Sequence, residues 1–474
     1  MIPDALVWRI QQLRQPRLLQ PICPNMLDWD GLPSSSLLAG VDALLAEDAL
    51  QQIGAWEMPA DLLIGRSRED RWRTVSSLQK AIRRGDVRAA MDAAHAAYGM
   101  DPGYLLKRVI VCAVEDVMLG NLYAVSATLA LAGDRASRRL AGEQKTLVWL
   151  AAQLASGWKD RTACNLCVVV DFNRALHPTM REWARLPDTD LAGKAADMGR
   201  RAEERMLAAW LLAGTKRYWN VNVPTDNDRP RGSLMRLMVE SRMPLLLYWL
   251  ADRAATRGGD CLFVSVLPIW QLLRDERAEL ELRSNQPTSG PNLDGLLMAA
   301  YDMHTREGQA ALRRLAGVPS VADILARIQN PEDRLPALFA GVFIVEGGQL
   351  ALRVSTPKID QLHFGAIHTE LDFLGLAQLH DRCALLQAIA DNLGALNGYR
   401  LDVAKRLRRS PSLHPMKFPD GQTTSPSQLP LGLSQVPKQL PAASLPIPPN
   451  FYPAQADRSV WEPGNILRPI EKPS

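Results

Sequence analysis

Apolar residues recur at helical spacing along roughly the first 400 positions of the chain. Trp72, Val75, Leu78 and Ile82 form one apolar stripe, which is the pattern of an amphipathic helix. Longer segments with the same period follow, such as "LMRLMVESRMPLLLYWLADRAATRGG" and "ELDFLGLAQLHDRCALLQAIADNLGAL". The pattern predicts a mainly α, multi-helical protein.

Helix-end signals divide the region around residues 71–121 into three helices. Gly85 follows two basic residues and favours a helix end, and Asp86 can cap the next helix. Asp101 is a second candidate cap, because Pro102 behind it suits the first position of a helix. We therefore expect three consecutive helices, the last of which begins at Asp101.

The third of these helices carries two carboxylates, Glu115 and Asp116, near its end before Gly120. The carbonyl end of a helix disfavours negative charge, so cationic partners would stabilise both groups. Basic residues of the same region that could provide them are Lys80, Arg83, Arg84, Lys107 and Arg108. The alternative interpretation is that both carboxylates are solvated surface charges.

Two short runs of β-branched residues are candidates for strands. One is "CVVVDF", which begins at Cys167, and the other is "FIVEGGQLALRV", which suggests a hairpin that turns at Gly347 and Gly348. We therefore expect at most a small β-hairpin in an otherwise helical protein.

Prolines and changes in composition suggest four segments. Residues 1–65 form an N-terminal arm with one helix, 66–160 a helical domain, and 161–410 a larger helical domain with minor β-structure. Beyond them, 411–474 contains 14 of the 33 prolines, so it buries too little apolar surface to fold by itself. We expect a disordered, Pro-rich tail there.

Charge and cysteine content narrow the class of protein. A net charge of +4 over 474 residues is too small to indicate a nucleic-acid binder by itself. Six irregularly spaced cysteines do not suggest a disulfide framework, and no apolar run reaches the ~20 residues of a membrane span. We expect a reduced, soluble, cytoplasmic protein that has no contact with a membrane.

The segment "LQKAIRRGDVRAAMDAAHAAYGMDPGYLLKRVIVCAVEDVMLGN" contains a more specific pattern. Its distinctive features are the R-x-G-D-x-x-A-A motif that begins at Arg83, the D-P-x-Y-L-x-K-R motif that begins at Asp101, and the E-D-V triplet that begins at Glu115. Together they resemble the C-terminal helical region of the MgsA/RarA type of AAA+ ATPases, replication-associated recombination factors related to clamp loaders. The resemblance covers about 50 residues, approximately 71–121.

In that family the region is a helical oligomerisation collar, and the family acts at stalled replication forks. The resemblance implies a similar collar-like block here. It also implies that this block contains an interface to an oligomer or partner. The residues it would place there are Lys80, Arg83, Asp86, Tyr104, Lys107, Arg108, Glu115 and Asp116. The partner would be a second copy of the chain or a separate AAA+ ATPase.

The ATPase module of that family has no counterpart in this sequence. No G-x-x-x-x-G-K-[ST] motif occurs, and "LLAGTKRYW" has Gly214 and Lys216 without the phosphate-binding loop. We therefore expect a non-catalytic accessory protein of DNA replication or repair, without a cofactor. Two alternatives stay open: an enzyme of unrecognised type that uses residues 161–400, and a structural scaffold.

Three groups of residues could suggest a catalytic or metal site, but none is complete. Cys164, Cys167 and His177 lack a fourth zinc ligand, so we expect buried thiols. His363 and His368 are spaced five apart, off one helix face. The cluster around Asp302, His304 and Glu307 is better explained as a loop that enters a helix capped by Thr305. We assign no catalytic residue, cofactor site or metal ligand.

Two basic stretches and one tail segment are candidates for contacts with DNA or a sliding clamp. Cations can contact phosphates and aromatic rings can stack on bases. The candidate DNA contacts are Lys216, Arg217, Trp219, Arg229, Arg231, Lys405, Arg406, Arg408 and Arg409. In the tail, "SQLPLGLS" resembles the bacterial sliding-clamp-binding peptide, through Gln428, Leu429, Leu431 and Leu433.

Overall fold

Helices dominate the computed structural model, which confirms the mainly α class. It describes residues 16–63, 71–216, 222–224, 227–258, 261–275, 281–284, 292–293 and 295–409. The helices of the N-terminal half are α1 (Ser35–Ala55), α2 (Arg71–Arg84), α3 (Val87–Met100), α4 (Pro102–Cys112), α5 (Leu122–Gly133), α6 (Arg135–Leu140), α7 (Glu143–Ser156), α8 (Thr162–Phe172), α9 (His177–Trp183), α10 (Asp188–Ala196) and α11 (Ala202–Ala213). Those of the C-terminal half are α12 (Gly232–Glu240), α13 (Leu245–Arg253), α14 (Val266–Asp275), α15 (Arg306–Ala316), α16 (Pro319–Leu325), α17 (Pro331–Val342), α18 (Pro357–Phe373), α19 (Leu379–Asp391) and α20 (Leu393–Arg409).

Two small antiparallel strand pairs accompany the helices in the described part of the chain. Strand β1 (Glu281–Ser284) pairs with β4 (Leu352–Ser355), so that Arg283 lies opposite Arg353. Strand β2 (Asn292–Leu293) pairs with β3 (Leu296–Leu297). The minor β-structure expected from the sequence is therefore present.

The helix caps lie where local sequence signals predict them. Asp86 caps α3 by accepting from the Ala89 N–H at 2.9 Å, and Asp101 caps α4 by accepting from the Tyr104 N–H at 2.9 Å. Thr305 caps α15. Each cap uses a side-chain oxygen to bond a backbone donor that has no partner within its helix.

One strand prediction and one hairpin prediction are wrong. The run "CVVVDF" belongs to helix α8, which is buried between neighbours that include α11 and α18, and a short apolar run cannot distinguish a buried helix from a buried strand. The hairpin at Gly347 and Gly348 is absent: Phe343–Gly347 is a π-helical turn that continues α17. Strand β4 follows it but pairs with β1, about 70 residues earlier in the chain.

One large cluster of buried apolar side chains extends from Leu18 to Leu396. Within it α2 packs on α3, α3 on α7, α8 on α18 and α15 on α20. Residues that follow α7 connect helical regions on either side of position 160: the Lys159 N–H donates to Leu352 O at 2.8 Å, and the Asp160 N–H donates to Asp116 O at 3.1 Å. In the described ranges, no helix combines the length and apolar character needed to cross a bilayer.

Candidate functional site

The carboxylates Glu115 and Asp116 lie inside the protein, opposite Arg83. The Arg83 Nε donates to Asp116 Oδ1 at 2.7 Å, and its Nη2 donates to Glu115 Oε1 at 3.3 Å. Arg161 is a second cation here, with its Nη2 3.5 Å from Glu115 Oε1 and its Nε 3.5 Å from Asp116 Oδ1. Asp116 is fully buried and Arg83 is 2% exposed, so the four charges neutralise one another within one chain.

A π-helical turn brings these two neighbouring carboxylates to one side of the backbone. Helix α4 ends at Cys112 and continues as a π-turn over Ala113–Val117, and a 3₁₀ turn follows over Met118–Gly120. Met118 has a φ of 36°, a strained conformation for a residue with a side chain. Single π-turns and strained backbone residues often occur at functional sites.

Lys80 and Asp302 form a second buried pair beside the first. The Lys80 Nζ lies 2.5 Å from Asp302 Oδ2 and 2.6 Å from Ser76 Oγ, and the Ser76 hydroxyl donates to the same carboxylate at 2.5 Å. Burial raises the pKa of Asp302, but Lys80 and then His304 outweigh it, and the pKa falls to about 2. Ser76 is thus held by an ion pair and has no free base to activate it as a nucleophile.

Gly308 allows the Asp302 loop to lie directly against the first turn of α15. A Cβ at position 308 would lie 1.9 Å from the Asp302 carbonyl oxygen, so any larger residue would displace this loop. The cap by Thr305 confirms the loop-and-helix interpretation of this cluster, and Asp302 in addition pairs with Lys80.

Arg400 and Glu346 form a third pair, in bidentate geometry. Arg400 is fully buried, its Nη1 and Nη2 lie 2.9 and 2.7 Å from the two Glu346 oxygens, and its Nε donates to Tyr301 O at 2.9 Å. Burial raises the pKa of Glu346, but Arg400 and other cations lower it further, so the net pKa is below its usual value. Both partners are ionised and their hydrogen-bonding groups are engaged.

The three pairs surround a cavity of about 140 Å³. Its lining includes Lys80, Arg108, Arg161, His304, Phe343 and Glu370. The Phe343 ring lies beneath the guanidinium groups of Arg83 and Arg161, each 5.1 Å from its centroid. This cavity, with its charged walls and one aromatic surface, is the candidate functional site.

Glu370 differs from the other carboxylates of the cavity because it has no ion pair or hydrogen bond from a side chain in the described part of the chain. It lies on α18, is 8% exposed, and faces the cavity. Burial raises its pKa to about 7, and Arg161 opposes this shift only partly. The group is therefore partly protonated near neutral pH.

Of the remaining residues that the resemblance assigns to an interface, Asp86, Lys107 and Arg108 lie at or near the surface, whereas Tyr104 is 7% exposed. Lys107 and Asp86 are exposed, and Asp86 acts as a helix cap. Arg108 is half-buried and donates to the Tyr104 hydroxyl from Nε and Nη2, both at 3.2 Å. Lys80 lies in the interior, as do Arg83 and its partners Glu115 and Asp116.

The candidate DNA contacts do not form one cluster in the described residues. Lys216 is exposed and pairs with Asp228 at 2.8 Å, and Arg231 pairs with Asp252 at 3.4 Å. Arg229 donates to the carbonyls of Ala184 and Leu186, which is a structural role. The exposed cations of α20 are Lys405 and Arg406.

Several candidate contacts lie outside the described residues. These are Arg217, Trp219, the side chains of Arg408 and Arg409, and the clamp-binding candidates Gln428, Leu429, Leu431 and Leu433. Arg400, which belongs to the second basic stretch of the sequence, is in contrast fully buried and cannot contact DNA.

Sequence reasoning missed Arg161, Glu346 and Glu370 as members of the site. Glu346 offered one signal, since it is a lone carboxylate in the apolar run "FAGVFIVEGG". Arg161 and Glu370 gave no such signal in the sequence, because each reaches the site only through the packing of segments that are far apart along the chain. Cys164 beside Arg161 is a buried thiol, as expected, and burial raises its pKa to about 12, so it is unreactive.

The described residues contain no group of three or more His, Cys, Asp or Glu side chains arranged to hold a metal ion. They offer matched ion pairs, a small cavity and, in its lining, one carboxylate without a partner among the described residues. No protein-family model, curated protein or solved structure matches the chain, so this site can be interpreted only from its own residues.

Proposed function

We propose that this chain is a non-catalytic accessory protein of DNA replication or repair, which assembles through residues 71–121 with a second copy or with a separate AAA+ ATPase. The sequence resemblance motivates the proposal. The observation that carries it is an aromatic and cationic surface where α2 and α4 begin. We call this surface the Trp72 patch and define it as Arg71, Trp72, Tyr104, Lys107 and Arg108.

The Trp72 patch is built from stacked rings and guanidinium groups. Trp72 and Tyr104 meet edge to face with centroids 5.7 Å apart. The Arg71 guanidinium lies 4.9 Å from the Tyr104 ring and 5.4 Å from the Trp72 ring, and Arg108 lies 5.5 Å from Tyr104. Trp, Tyr and Arg are the residues that most often dominate the binding energy of protein interfaces.

Trp72 is also more exposed than the other residues of the apolar stripe that the sequence predicts. Val75, Leu78 and Ile82 are at most 4% exposed, whereas Trp72 is 39% exposed. A large aromatic side chain that remains partly exposed on a preordered surface can be buried by a partner with little loss of conformational entropy. This supports a docking role for the patch.

Charge favours an acidic partner surface. Arg71 has a weak pair with Asp101 at 3.4 Å, Lys107 is exposed, and Arg108 bonds only the neutral Tyr104 hydroxyl among the described residues. The buried pairs of Arg83 with Glu115 and Asp116 join α2 to the π-turn after α4. Such pairs set the register of two helices, so the patch is presented in one arrangement.

The test compares assembly of the full chain and two variants. Trp72→Ala combined with Arg108→Glu should lower the mass found by light scattering toward that of a monomer, or abolish the co-purification of an AAA+ ATPase that we expect with the wild-type chain. Trp29→Ala is the matched control, because Trp29 is 98% exposed and lies outside the patch. Assembly that survives the double substitution, in a variant that melts like the wild type, would refute the proposal.

A further inference from the structure

The cavity contains one unmatched charge of each sign. Lys80 is neutralised by Asp302, Arg400 by Glu346, and the pair of Arg83 and Arg161 by Glu115 and Asp116. Arg108 has no carboxylate partner and Glu370 has no cationic partner within hydrogen-bonding distance, in the described part of the chain. A ligand that completes the cavity therefore carries one anionic and one cationic group.

The two unmatched groups lie at different depths in the cavity. Arg108, on α4, is half-buried and contacts Tyr104, whose ring meets the partly exposed Trp72. Glu370, on α18, is 8% exposed, and α18 packs on α8, which contributes Val168 to the lining. Arg108 therefore marks the mouth of the cavity and Glu370 its interior.

The size and walls of the cavity limit the ligand further. A volume of about 140 Å³ is close to the roughly 150 Å³ of an apolar protein cavity that accepts benzene. The lining also includes the apolar side chains of Val168, Leu312, Phe339, Val342 and Phe343. These side chains suit a short apolar chain. A nucleotide is excluded because it is larger than the cavity and its several negative charges would meet one unmatched cation.

We propose that the cavity binds a small ω-amino carboxylic acid, whose ammonium group pairs with Glu370 and whose carboxylate pairs with Arg108 and His304. The apolar chain between the two groups lies along Phe343. Glu370 is the residue that selects for the amino group, because it is the only carboxylate of the lining without a partner among the described residues.

The test is isothermal titration calorimetry of the full chain with 6-aminohexanoate and 4-aminobutyrate. Hexanoate and hexylamine are the matched probes, since each keeps one charged group and removes the other. We expect saturable binding of at least one amino acid, about tenfold or more tighter than either matched probe. Binding should also tighten between pH 6 and pH 8, because Glu370 must be ionised to pair with an ammonium group.

Variants separate the two ends of the site. Glu370→Gln should weaken the binding of the amino acid by about tenfold or more and leave the binding of hexanoate unchanged. Arg108→Gln should weaken the binding of both acids. Asp372→Asn is the control, because Asp372 lies on the same helix but outside the cavity lining. Absence of binding by every probe at about 10 mM, or equal affinity of the wild type and Glu370→Gln for the amino acids, would overturn the proposal. Arg108 belongs to both the cavity and the Trp72 patch, so light scattering of Arg108→Gln accompanies its titration. Glu370 lies outside the patch, so Glu370→Gln tests the cavity separately from assembly.

Discussion

Arg83 donates from its Nε to Asp116 at 2.7 Å in a region where both side chains are almost completely removed from solvent. The two residues are 33 positions apart, and Arg83 also reaches the Gly347 carbonyl oxygen at 3.0 Å, on a segment much later in the chain. One guanidinium thus connects α2, the π-turn after α4 and the π-turn after α17. A buried charge in such a position has large consequences for stability when its partner is removed.

We expect Arg83→Met to destabilise the protein by roughly 3 kcal/mol or more, because the fully buried Asp116 loses its 2.7 Å ion pair and keeps the longer one with Arg161, at 3.5 Å. Chemical denaturation followed by circular dichroism measures the change. Arg88→Met is the matched control: Arg88 also pairs with two carboxylates, Asp61 and Asp92, but at the surface, and its loss should leave the unfolding free energy nearly unchanged. Equal midpoints for Arg83→Met and the wild type would show that the buried pairs contribute nothing.

Glu370 should make the protein less stable as the pH rises. Burial raises its pKa from the ordinary value of 4.5 to about 7, so between these values the folded protein binds a proton that the unfolded chain releases. Stability falls as the pH increases through this window, and the full loss of about 3 kcal/mol is present above pH 7.

Comparison with Glu370→Gln isolates this contribution. The variant keeps the shape of the side chain and cannot ionise, so both proteins should have similar stability at pH 4.5 and the variant should be about 3 kcal/mol more stable at pH 8. Denaturation curves at several pH values measure the difference. A constant difference across the range would mean that Glu370 titrates normally in the folded protein.

His368 should have the opposite effect, on the acidic side. Burial, with a contribution from Arg382, lowers its pKa from 6.5 to about 4, so the unfolded chain binds a proton that the folded protein excludes. The free energy of unfolding is therefore unaffected by this group above pH 6.5. It decreases as the pH falls from 6.5 through 4, by about 3 kcal/mol in total. His368→Phe should remove this loss, whereas His380→Asn should not, because His380 is exposed. Melting curves between pH 4 and pH 7 decide the question.

The chain is expected neither to hydrolyse ATP nor to bind it tightly. It lacks a phosphate-binding loop, and Lys216, the lysine nearest to such a motif in sequence, pairs with Asp228 at 2.8 Å. Phosphate release and equilibrium binding of labelled ATP measure the two properties. Turnover that persists through purification and disappears in Lys216→Ala would contradict this expectation.

The parts of the fold that depend on neighbouring residues could be predicted from the sequence. The caps by Asp86, Asp101 and Thr305 each need only a side-chain oxygen and a donor three residues away. The mainly α class follows in the same way from apolar periodicity. The prediction of a strand at Cys167 was wrong because the residues there are buried on several sides. Their apolar pattern therefore has no period that distinguishes a helix from a strand.

The site itself could be predicted only in part. The sequence singled out Arg83, Glu115 and Asp116 and suggested that cations meet these carboxylates, but it did not reveal Arg161 as the second cation. Glu346 and Arg400 are 54 positions apart, and Lys80 and Asp302 are 222 apart. Pairs at such separations depend on the packing of whole helices, which no local pattern encodes.

The π-turn at Ala113–Val117 makes this part of the protein more sensitive to a change of length than to a change of side chain. Such a turn contains one residue more than an α-helix can accommodate. A single-residue deletion here would restore a regular helical turn and leave the flanking segments in register, but Glu115 and Asp116 would no longer lie on the wide turn from which both reach Arg83. Homologues that align without a gap across these positions should therefore keep the pairing with Arg83, while those one residue shorter should replace both carboxylates.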